Sequence, residues 1–473
     1  MRRHLGLDLA ITAESRACLT DETGRLILER RFHIHRGDLE DLYAAVTEGM
    51  EPDDQLVVVM EPTGSSWIAP AAFFKSKGAR VHLVKPEQSA DLRDYYAKHV
   101  KNDRMDAALL ARIPLLHPEG MHEVNLPSGD RATLRRTVAR RSRLVEEVSL
   151  HRRRIRSLLQ WAMPGMSEVL GESLGKAGII LLGRYGNPET LVRLGTKRIA
   201  AVLIKGSRGH WREEKAEQIL AVARASILLW EGLDGCDFEE VAEDLAAEAR
   251  MLKALQAEVL ELDARASGLL NAIDPQGLHL SMPGFAERTA TTVAGRLGDA
   301  SRFTSAGGIR SYIGIIPGTE QSGETESRQK LTKAGDRILR TSMFLAAEAA
   351  RKEDPQLAQI YYRQMVDKGN HHTKAICAVA TSLATRLAAV LREGRLYVIR
   401  DLDNTPVDTL TAKKIIAERY TIPANIRNLR RQVTHSKKQK GRHLDGVRSK
   451  AVKPSPPEEV APVNNRKRMA QMA

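Results

Sequence analysis

The chain has 473 residues, of which 42% are hydrophobic and 28% charged, and its formal net charge is +14 at pH 7. This composition is typical of a soluble globular protein with residues enough for two or three domains. No apolar run approaches the ~20 residues of a membrane helix, and Asp8 and Glu14 interrupt any signal-peptide core. We therefore expect a cytoplasmic protein with no membrane partner. Its three cysteines, Cys18, Cys236 and Cys377, lie too far apart for a Cys-x-x-Cys zinc site or a disulfide framework.

Positive charge is concentrated in two segments. Residues 427–473 contain 13 basic residues against 3 acidic ones, and residues 131–156 contain ten arginines against two glutamates. Basic clusters attract polyanions because neutralising phosphates releases condensed counterions. A solvated helix face with a basic tail is the alternative, but the arginine density favours nucleic acid as the partner. The predicted nucleic-acid contacts in the first cluster are Arg135, Arg136, Arg140, Arg152 and Arg153.

Strand-like and helix-like patterns alternate at the start of the chain. The run of β-branched residues at 56–60 suits a central strand buried on both faces, and a turn near Gly24 suggests a hairpin of 4–10 with 25–32. The strand-like segments are 4–10, 25–32, 56–60 and 80–84, and the helix-like segments are 39–50, 68–77 and 103–116. We therefore predict a mixed α/β domain over residues 1–118.

The pattern becomes helical after Pro127. Two heptad-like series, at 134–159 and 241–269, flank a less regular segment at about 163–235. They predict two long helices that pair either as an antiparallel coiled coil or as a dimer seam. A further mostly helical domain follows, and the basic tail is expected to stay disordered until it meets a polyanion. The predicted units after the first are residues 128–272, 278–398 and 427–473.

Four carboxylates in the first domain stand out by position. Asp8 lies within a strand, where an unpaired charge among apolar neighbours is costly, and Glu61 ends the central strand. Asp103 and Asp106 are three residues apart, so a helix places both on one face. A lone helical Asp is more often a cap or a surface charge. All four converging at one sheet edge would repel one another unless they held Mg²⁺ or Mn²⁺, the cations that oxygen-only sites favour.

The segments that contain these acids, residues 5–8, 60–64 and 101–107, resemble the three motifs of the DEDD transposases of bacterial insertion sequences. The resemblance implies that the N-terminal domain has an RNase H-like fold, similar to that of the RuvC junction resolvase. It assigns the metal-binding and catalytic tetrad to Asp8, Glu61, Asp103 and Asp106. Two such metal ions can align an oxygen nucleophile for in-line attack on phosphate.

The C-terminal region resembles the same family independently, over about residues 282–391. In that family a serine that precedes glycine bonds covalently to DNA, and Ser322 is the matching position. From the residues alone, Ser322 lies in a polar stretch, Gly318 to Arg328, that suggests an exposed loop. No neighbour in sequence activates it as a nucleophile. Thr325 and Ser327 are the nearby alternatives.

Three basic residues follow this polar stretch, and their spacing predicts that they share one helical face: Lys333, Arg337 and Arg340. Fixed cations near a scissile phosphate position it and offset its developing negative charge. We therefore predict that these three side chains bind nucleic acid. A solvated basic face is the alternative.

Taken together, the motifs predict a DNA transposase or recombinase. The family resemblance further implies strand exchange through a 5′-phosphoserine, a structured non-coding guide RNA, and a homo-oligomer (dimer or tetramer) that acts at the bacterial nucleoid. One alternative is a metal-dependent nuclease or Holliday-junction resolvase, in which Ser322 would be structural. The other is a nucleic-acid-binding scaffold without catalytic activity, in which the acids would hold ions only.

Overall fold

The computed structural model describes residues 1–97, 103–118, 121, 123–126, 128–171, 174–322 and 325–429. Side chains are described throughout these ranges except at 96–97, 103–104, 317–322 and 325–331. The chain divides into two compact units, Met1–Ala132 and Thr133–Ala473. Of the predicted disordered tail, residues 427–429 are helical, contrary to the prediction, and positions from 430 onward lie outside the described residues.

The first unit contains a five-stranded sheet with the strand order β3-β2-β1-β4-β5. Strands β1, β4 and β5 run parallel, whereas β2 pairs antiparallel with both β1 and β3. The strands are β1 (Arg2–Asp8), β2 (Ser15–Thr20), β3 (Leu26–Phe32), β4 (Gln55–Met60) and β5 (Arg80–Leu83). The predicted mixed α/β domain is confirmed. The predicted hairpin is wrong, because β2 lies between the two segments and β3 pairs with β2 instead of β1.

Helices cover both faces of this sheet. Val58 of β4 belongs to one core cluster with Phe74, while its neighbour Val57 belongs to another with Leu110. This alternation buries β4 on both sides, as its run of β-branched residues predicts. The helices of the unit are α1 (Arg36–Thr47), α2 (Ile68–Ser76), α3 (Pro86–Ala97) and α4 (Asp103–Leu116). Of these, α3 was not predicted from the sequence.

Helix α4 crosses strand β1 at Gly6. A Cβ atom at this position would lie 2.1 Å from the carbonyl oxygen of Ala107 and 2.4 Å from the amide nitrogen of Ala111. Neither backbone atom can yield without a movement of the helix, so only glycine permits this close approach. Gly6 thereby fixes the distance between β1 and α4.

Two long helices, α5 (Gly129–Ala162) and α10 (Phe238–Ile273), are joined by ion pairs. Arg140 pairs with Glu258 at 2.7 Å, and Arg154 pairs with Glu248 at 3.6 Å. The later residue on α5 therefore pairs with the earlier residue on α10, so the two helices run antiparallel. Coiled-coil packing between them stays a prediction.

The segment between these helices forms four more: α6 (Met166–Leu170), α7 (Lys176–Tyr185), α8 (Pro188–Ser207) and α9 (Glu213–Trp230). They share one apolar core with the end of α5 and the start of α10. Its members include Leu159, Leu181, Leu203, Leu220 and Leu245. The segment is therefore a packed helical subdomain. Its apolar residues do not follow a heptad repeat.

The remaining described part of the second unit is mainly helical. Its elements are α11 (Leu278–Ser281), α12 (Glu287–Leu297), α13 (Ala306–Ile313), β6 (Pro317–Ser322), β7 (Thr325–Leu331), α14 (Arg337–Ala350), α15 (Pro355–Met365), α16 (His372–Glu393) and α17 (Thr409–Arg419). Among the described helices, α16 alone is long and apolar enough to cross a membrane, by length and composition. It belongs to the core cluster of this region and half of its apolar window is buried inside the protein, which is common for the central helix of a helical domain.

Candidate catalytic sites in the two units

Three of the four predicted tetrad residues meet in the first unit. Asp8, Glu61 and Asp106 line one cavity of about 280 Å³. Asp8 ends β1 and Glu61 follows β4, and these neighbouring strands are parallel, so their carboxyl ends reach the same edge of the sheet. Helix α4 packs on β1 across Gly6 and brings Asp106 to that edge.

The fourth predicted acid, Asp103, begins helix α4, one turn before Asp106. A spacing of three residues along a helix places two positions on one face. The side chain of Asp103 lies outside the described residues. Its membership of the cluster therefore stays a prediction, resting on the backbone position and on the family motif.

Helix α3 supplies hydrogen-bond donors to two of the acids. The Ser89 hydroxyl donates a short hydrogen bond to Glu61 Oε1, and Arg93 Nε donates to Asp106 Oδ1 at 2.6 Å. Ser89 and Arg93 are four residues apart, so both project from one side of α3. Sequence reasoning missed these two residues, and their spacing in a helix after β5 is the signal that could have found them.

Oxygen atoms are the ligands that the cavity offers a cation. Carboxylate-only donor sets suit hard divalent cations such as Mg²⁺ and Mn²⁺. Glu14, Arg16 and Arg93 also line the cavity, so it contains both signs of charge. Among the described side chains, which exclude that of Asp103, no three Asp, Glu, His or Cys groups are placed to hold a metal ion together. The donor chemistry thus fits the predicted ions, while one of the converging carboxylates is engaged by Arg93.

The predicted nucleophile, Ser322, ends strand β6 of a two-stranded antiparallel hairpin. Its backbone pairs with that of Thr325, and Ser327 pairs with Glu320. The predicted exposed loop from Gly318 to Arg328 is therefore wrong. Cross-strand hydrogen bonds satisfy the backbone of a polar segment as well as that of an apolar one, so polarity did not exclude strands. The Ser322 side chain lies outside the described residues.

Arg340 holds the base of this hairpin. Its Nη1 atom donates to the carbonyl oxygens of Lys333 at 3.0 Å, Gly335 at 3.3 Å and Ile313 at 3.4 Å. Residue 313 precedes β6, whereas residues 333 and 335 follow β7, so one guanidinium group binds the chain on both sides of the hairpin. We call this base, formed by residues 312–316 and 332–336, the hairpin clamp.

Backbone contacts complete the hairpin clamp. The amide of Asp336 donates to the Tyr312 carbonyl at 2.9 Å, and a Cβ atom at Gly335 would lie only 2.4 Å from the amide nitrogen of Gly314. The Asp336 carboxylate caps α14 by accepting from the Leu339 amide, and it also forms an ion pair with Arg296. Asp336 thus ties the clamp to the start of α14.

The predicted shared helical face of Lys333, Arg337 and Arg340 is wrong. Lys333 precedes α14 and has a left-handed backbone conformation with φ of 55°, so it belongs to the turn that enters the helix. Arg337 forms an ion pair with Glu146 of α5, and Arg340 bonds to backbone carbonyls of the clamp. Direct phosphate contact by these residues stays a prediction.

The predicted nucleic-acid contacts on α5 differ in their surroundings. Arg136 and Arg153 are exposed, whereas Arg135 and Arg152 are half-buried. Arg140 is exposed but is paired with Glu258 of α10. Arg136 and Arg153, which are exposed, are therefore the most accessible to a polyanion. Nucleic-acid binding by all five arginines stays a prediction.

Comparison with known proteins assigns both regions to one group. Residues 5–164 match the IS110-type DEDD model, described as a transposase. Residues 278–363 match a second model, described as the transposase IS116/IS110/IS902 family. The first match contains all four predicted acids, and the second contains the hairpin and its clamp. Together the two matches cover just over half of the chain.

Related proteins extend over most of the chain. The 43.6 kDa protein of insertion element IS110 from Streptomyces coelicolor is 26% identical over 84% of this chain and 95% of its own length. The transposase for insertion sequence element IS1111A from Coxiella burnetii is 23% identical over 83% of this chain and 90% of its length. A pilin gene-inverting protein from Moraxella bovis is 25% identical over 47% of this chain and 67% of its length. The matched domains and these relatives agree: the chain belongs to the IS110/IS116/IS902 family of insertion-sequence transposases.

Proposed function

We propose that the protein cuts and joins DNA strands with a metal-dependent acid cluster and a serine nucleophile. The observation that carries this proposal is the meeting of Asp8, Glu61 and Asp106 from three separate chain segments in one cavity. The sheet supports an RNase H-like fold, because its central strand β1 ends in Asp8 between a parallel neighbour and an antiparallel one. The charge of +14 supports a nucleic-acid substrate.

The proposed tetrad of Asp8, Glu61, Asp103 and Asp106 would hold Mg²⁺ or Mn²⁺. The chemistry that such ions would supply there, when bound, is alignment of the attacking oxygen and compensation of negative charge on the phosphate. The protein's own contribution is to orient the carboxylates before substrate arrives. Ser89 fixes the carboxylate of Glu61, and the packing of α4 on Gly6 fixes the backbone of Asp106.

In the proposed reaction the Ser322 hydroxyl attacks a DNA phosphorus atom. The serine hydroxyl gives up its proton and its oxygen forms a bond to the 5′-phosphate. The bond from phosphorus to the 3′ oxygen breaks, and that oxygen takes up a proton as a 3′ hydroxyl, so no net proton is gained or lost. Attack by a second 3′ hydroxyl then reverses these bond changes and joins a new pair of strands. The position of Ser322 at the end of a hairpin that is held at its base supports this role.

The proposed partners are DNA, a structured guide RNA and further copies of this chain. Family resemblance is the basis for the RNA and for a dimer or tetramer with composite sites. The exposed arginines on α5, Arg136 and Arg153, support a polyanion-binding role for this helix. The basic residues after 427 support the same role for the tail.

A metal-dependent nuclease or junction resolvase is the second candidate. The observation in its favour is that the described acids of the cavity all belong to the first unit and need no residue of the hairpin to converge. Such an enzyme would use water as the nucleophile, and it would release cut DNA with no covalent protein–DNA bond.

A covalent-adduct assay separates the two candidates. Bacteria would carry the gene with its native flanking DNA, and DNA that remains attached to the denatured protein would be measured. We expect an adduct with wild-type protein and with Ser327→Ala, a matched serine on the other strand of the hairpin. Ser322→Ala and Asp106→Asn should reduce the adduct at least about a hundredfold, because each removes a group required for bond formation.

Two results would contradict the proposal. Cut DNA without any adduct would favour the nuclease. An adduct that persists in Ser322→Ala would move the nucleophile elsewhere, with Thr325 as the first residue to replace.

A further inference from the structure

Arg93 is the feature of the first unit that the proposed chemistry does not use. It lies on α3 and its Nε atom is 2.6 Å from Asp106 Oδ1. The Arg93 side chain is 22% exposed and that of Asp106 is 13% exposed, so the pair is shielded from bulk water but borders the cavity. At this distance and burial the hydrogen bond is charge-assisted and strong.

A bound divalent cation and this guanidinium group would compete for the same carboxylate. The guanidinium group uses one oxygen of Asp106, and a metal ligand must offer that electron density to the ion. Two like charges within a few ångströms also repel strongly where water is partly excluded. The guanidinium group of Arg93 therefore occupies a coordination position on Asp106 that a metal ion would use.

We propose that Arg93 is an exchangeable counter-ion of the acid cluster. It neutralises Asp106 while the cluster lacks a divalent cation, and it leaves Asp106 when the cation binds. The released guanidinium group then binds a DNA phosphate at the cavity mouth, because its planar donors match phosphate oxygens. This inference rests on the proposed function, since it requires that the acid cluster binds a divalent cation.

The location of Arg93 supports exchange over a purely structural role. Its α3 neighbour one turn earlier, Ser89, holds Glu61 through a short neutral side chain that adds no charge to the cavity. Arg93 instead has a long flexible side chain and a charge of the same sign as the cation. A purely orienting donor would not need that charge.

Cation binding by the purified full-length chain tests the exchange. Free Mn²⁺ would be measured by electron paramagnetic resonance, without DNA, for wild type, Arg93→Gln, Arg93→Lys and Asp106→Asn. We expect Arg93→Gln to bind Mn²⁺ about tenfold more tightly than wild type, because the competing charge is gone. Arg93→Lys, which keeps the charge, should stay near wild type. Arg16→Gln is the matched control, since it removes one positive charge from the same cavity lining and should have a smaller effect.

Thermal unfolding gives a second readout that does not depend on activity. Without divalent cations, Arg93→Gln should unfold at a lower temperature than wild type, because less positive charge then offsets the repulsion between the carboxylates. With saturating Mn²⁺ this difference should disappear.

The phosphate half of the inference is tested by the salt dependence of DNA binding in a Ser322→Ala background. In the presence of Mn²⁺, Arg93→Gln should make the slope of log affinity against log salt concentration shallower by about 0.9, the value for the loss of one phosphate contact. When a chelator removes the Mn²⁺, Arg93 should remain paired with Asp106, and the substitution should leave the slope unchanged. An equal effect in both conditions would overturn the exchange.

The outcomes separate this inference from the proposed function. If Asp106→Asn weakens Mn²⁺ binding while Arg93→Gln fails to tighten it, Arg93 is an orienting residue and the exchange alone is wrong. If Asp106→Asn leaves Mn²⁺ binding unchanged, the metal site and the exchange are both wrong. A loss of the adduct in Ser322→Ala would still support the serine nucleophile in either case.

Discussion

The acid cluster and the serine hairpin are built in opposite ways. The acids extend from the ends of core strands and from a helix that packs directly on β1, so the buried core of their unit sets their positions. Ser322 lies at the far end of a hairpin whose described contacts are at its base, in the hairpin clamp. Packing determines the geometry of the first site, and a few backbone contacts determine the direction of the second.

This difference predicts where remote substitutions will act. In the acid cluster, a change in packing should alter stability and catalytic geometry together, because the same residues determine both. In the hairpin, a change at the clamp should misdirect the serine by more than its smaller loss of stability explains. Stability and adduct formation should therefore be tightly correlated for the first region and weakly correlated for the second.

The largest expected effect is that of Gly6→Ala. The new methyl group would overlap backbone atoms of α4, which must move away from β1, and we expect a loss of about 3 kcal/mol or more in unfolding free energy. Hydrogen exchange should show lost protection in α4 and β1. Gly37→Ala in α1 is the matched control, since nothing lies within 4 Å of its added methyl group, and it should be neutral or slightly stabilising. Equal unfolding free energies for the two variants would contradict the claim that packing of α4 on β1 determines the geometry of the acid cluster.

Gly335→Ala should have the next largest effect. Its methyl group would meet Gly314 and Tyr312 inside the hairpin clamp, at a cost of about 1–3 kcal/mol. Adduct formation should fall more than stability alone explains, because the base of the hairpin must shift. Gly268→Ala in α10, where the added group meets nothing within 4 Å, is the control. A variant that unfolds but keeps its adduct yield per folded molecule would contradict this prediction.

Arg340→Met sharpens the comparison further. It keeps much of the aliphatic side chain and removes the three hydrogen bonds to the clamp, so stability should fall by only about 1–2 kcal/mol. Adduct formation should fall about tenfold, since misplacing a reacting group by a small distance costs rate. Arg340→Lys should rescue part of the loss. Phosphate binding by Arg340 would instead predict a weaker salt dependence of DNA binding in the Met variant with hairpin geometry unchanged.

The smallest expected effect is on the pH dependence of the first unit. Burial, and next the nearby charge of Arg2, lower the pKa of His4 in β1 below its usual value. The unfolded chain therefore takes up a proton more readily, and stability that is fully present above the unfolded pKa of about 6.5 is lost as pH falls below it. Urea unfolding at pH 7 and pH 5 should show this loss, and His4→Phe should reduce it. If the pH dependence of stability were unchanged in His4→Phe, the loss of stability at low pH would arise from other titratable groups.

The sequence was most informative where apolar residues repeat. The run at 56–60 identified β4, and the parallel pairing of β4 with β1 brings Glu61 to the edge where Asp8 ends. Local pattern and family motif therefore agreed on the acids. By contrast, β2 and α3 were missed. Helix α3 has a weakly amphipathic sequence, so neither Ser89 nor Arg93 stood out as a partner of the acids.

The second region was less predictable because its geometry depends on backbone contacts. The polar residues at 318–328 favour a loop, although strand pairing can satisfy their backbone amides. The turn at Lys333 has a left-handed conformation that a non-glycine residue does not signal, and it delays the start of α14 to Arg337. The spacing of Arg340 from Arg337 suggests a phosphate ligand, whereas its described contacts are with the clamp.

The ion pairs that link α5 to α10 have a practical consequence for experiments with this protein. At ionic strengths well above ~0.1 M, electrostatic attraction fades within a few ångströms, and the exposed pair of Arg140 with Glu258 should weaken. Strong salt is the ordinary means of stripping cellular RNA and DNA from a chain with a charge of +14. The purification step that cleans the arginine-rich helix would thus also weaken this ion pair, while the apolar core that α5 and α10 share would keep the two helices together. Samples returned to low salt before assembly is measured should regain this ion pair.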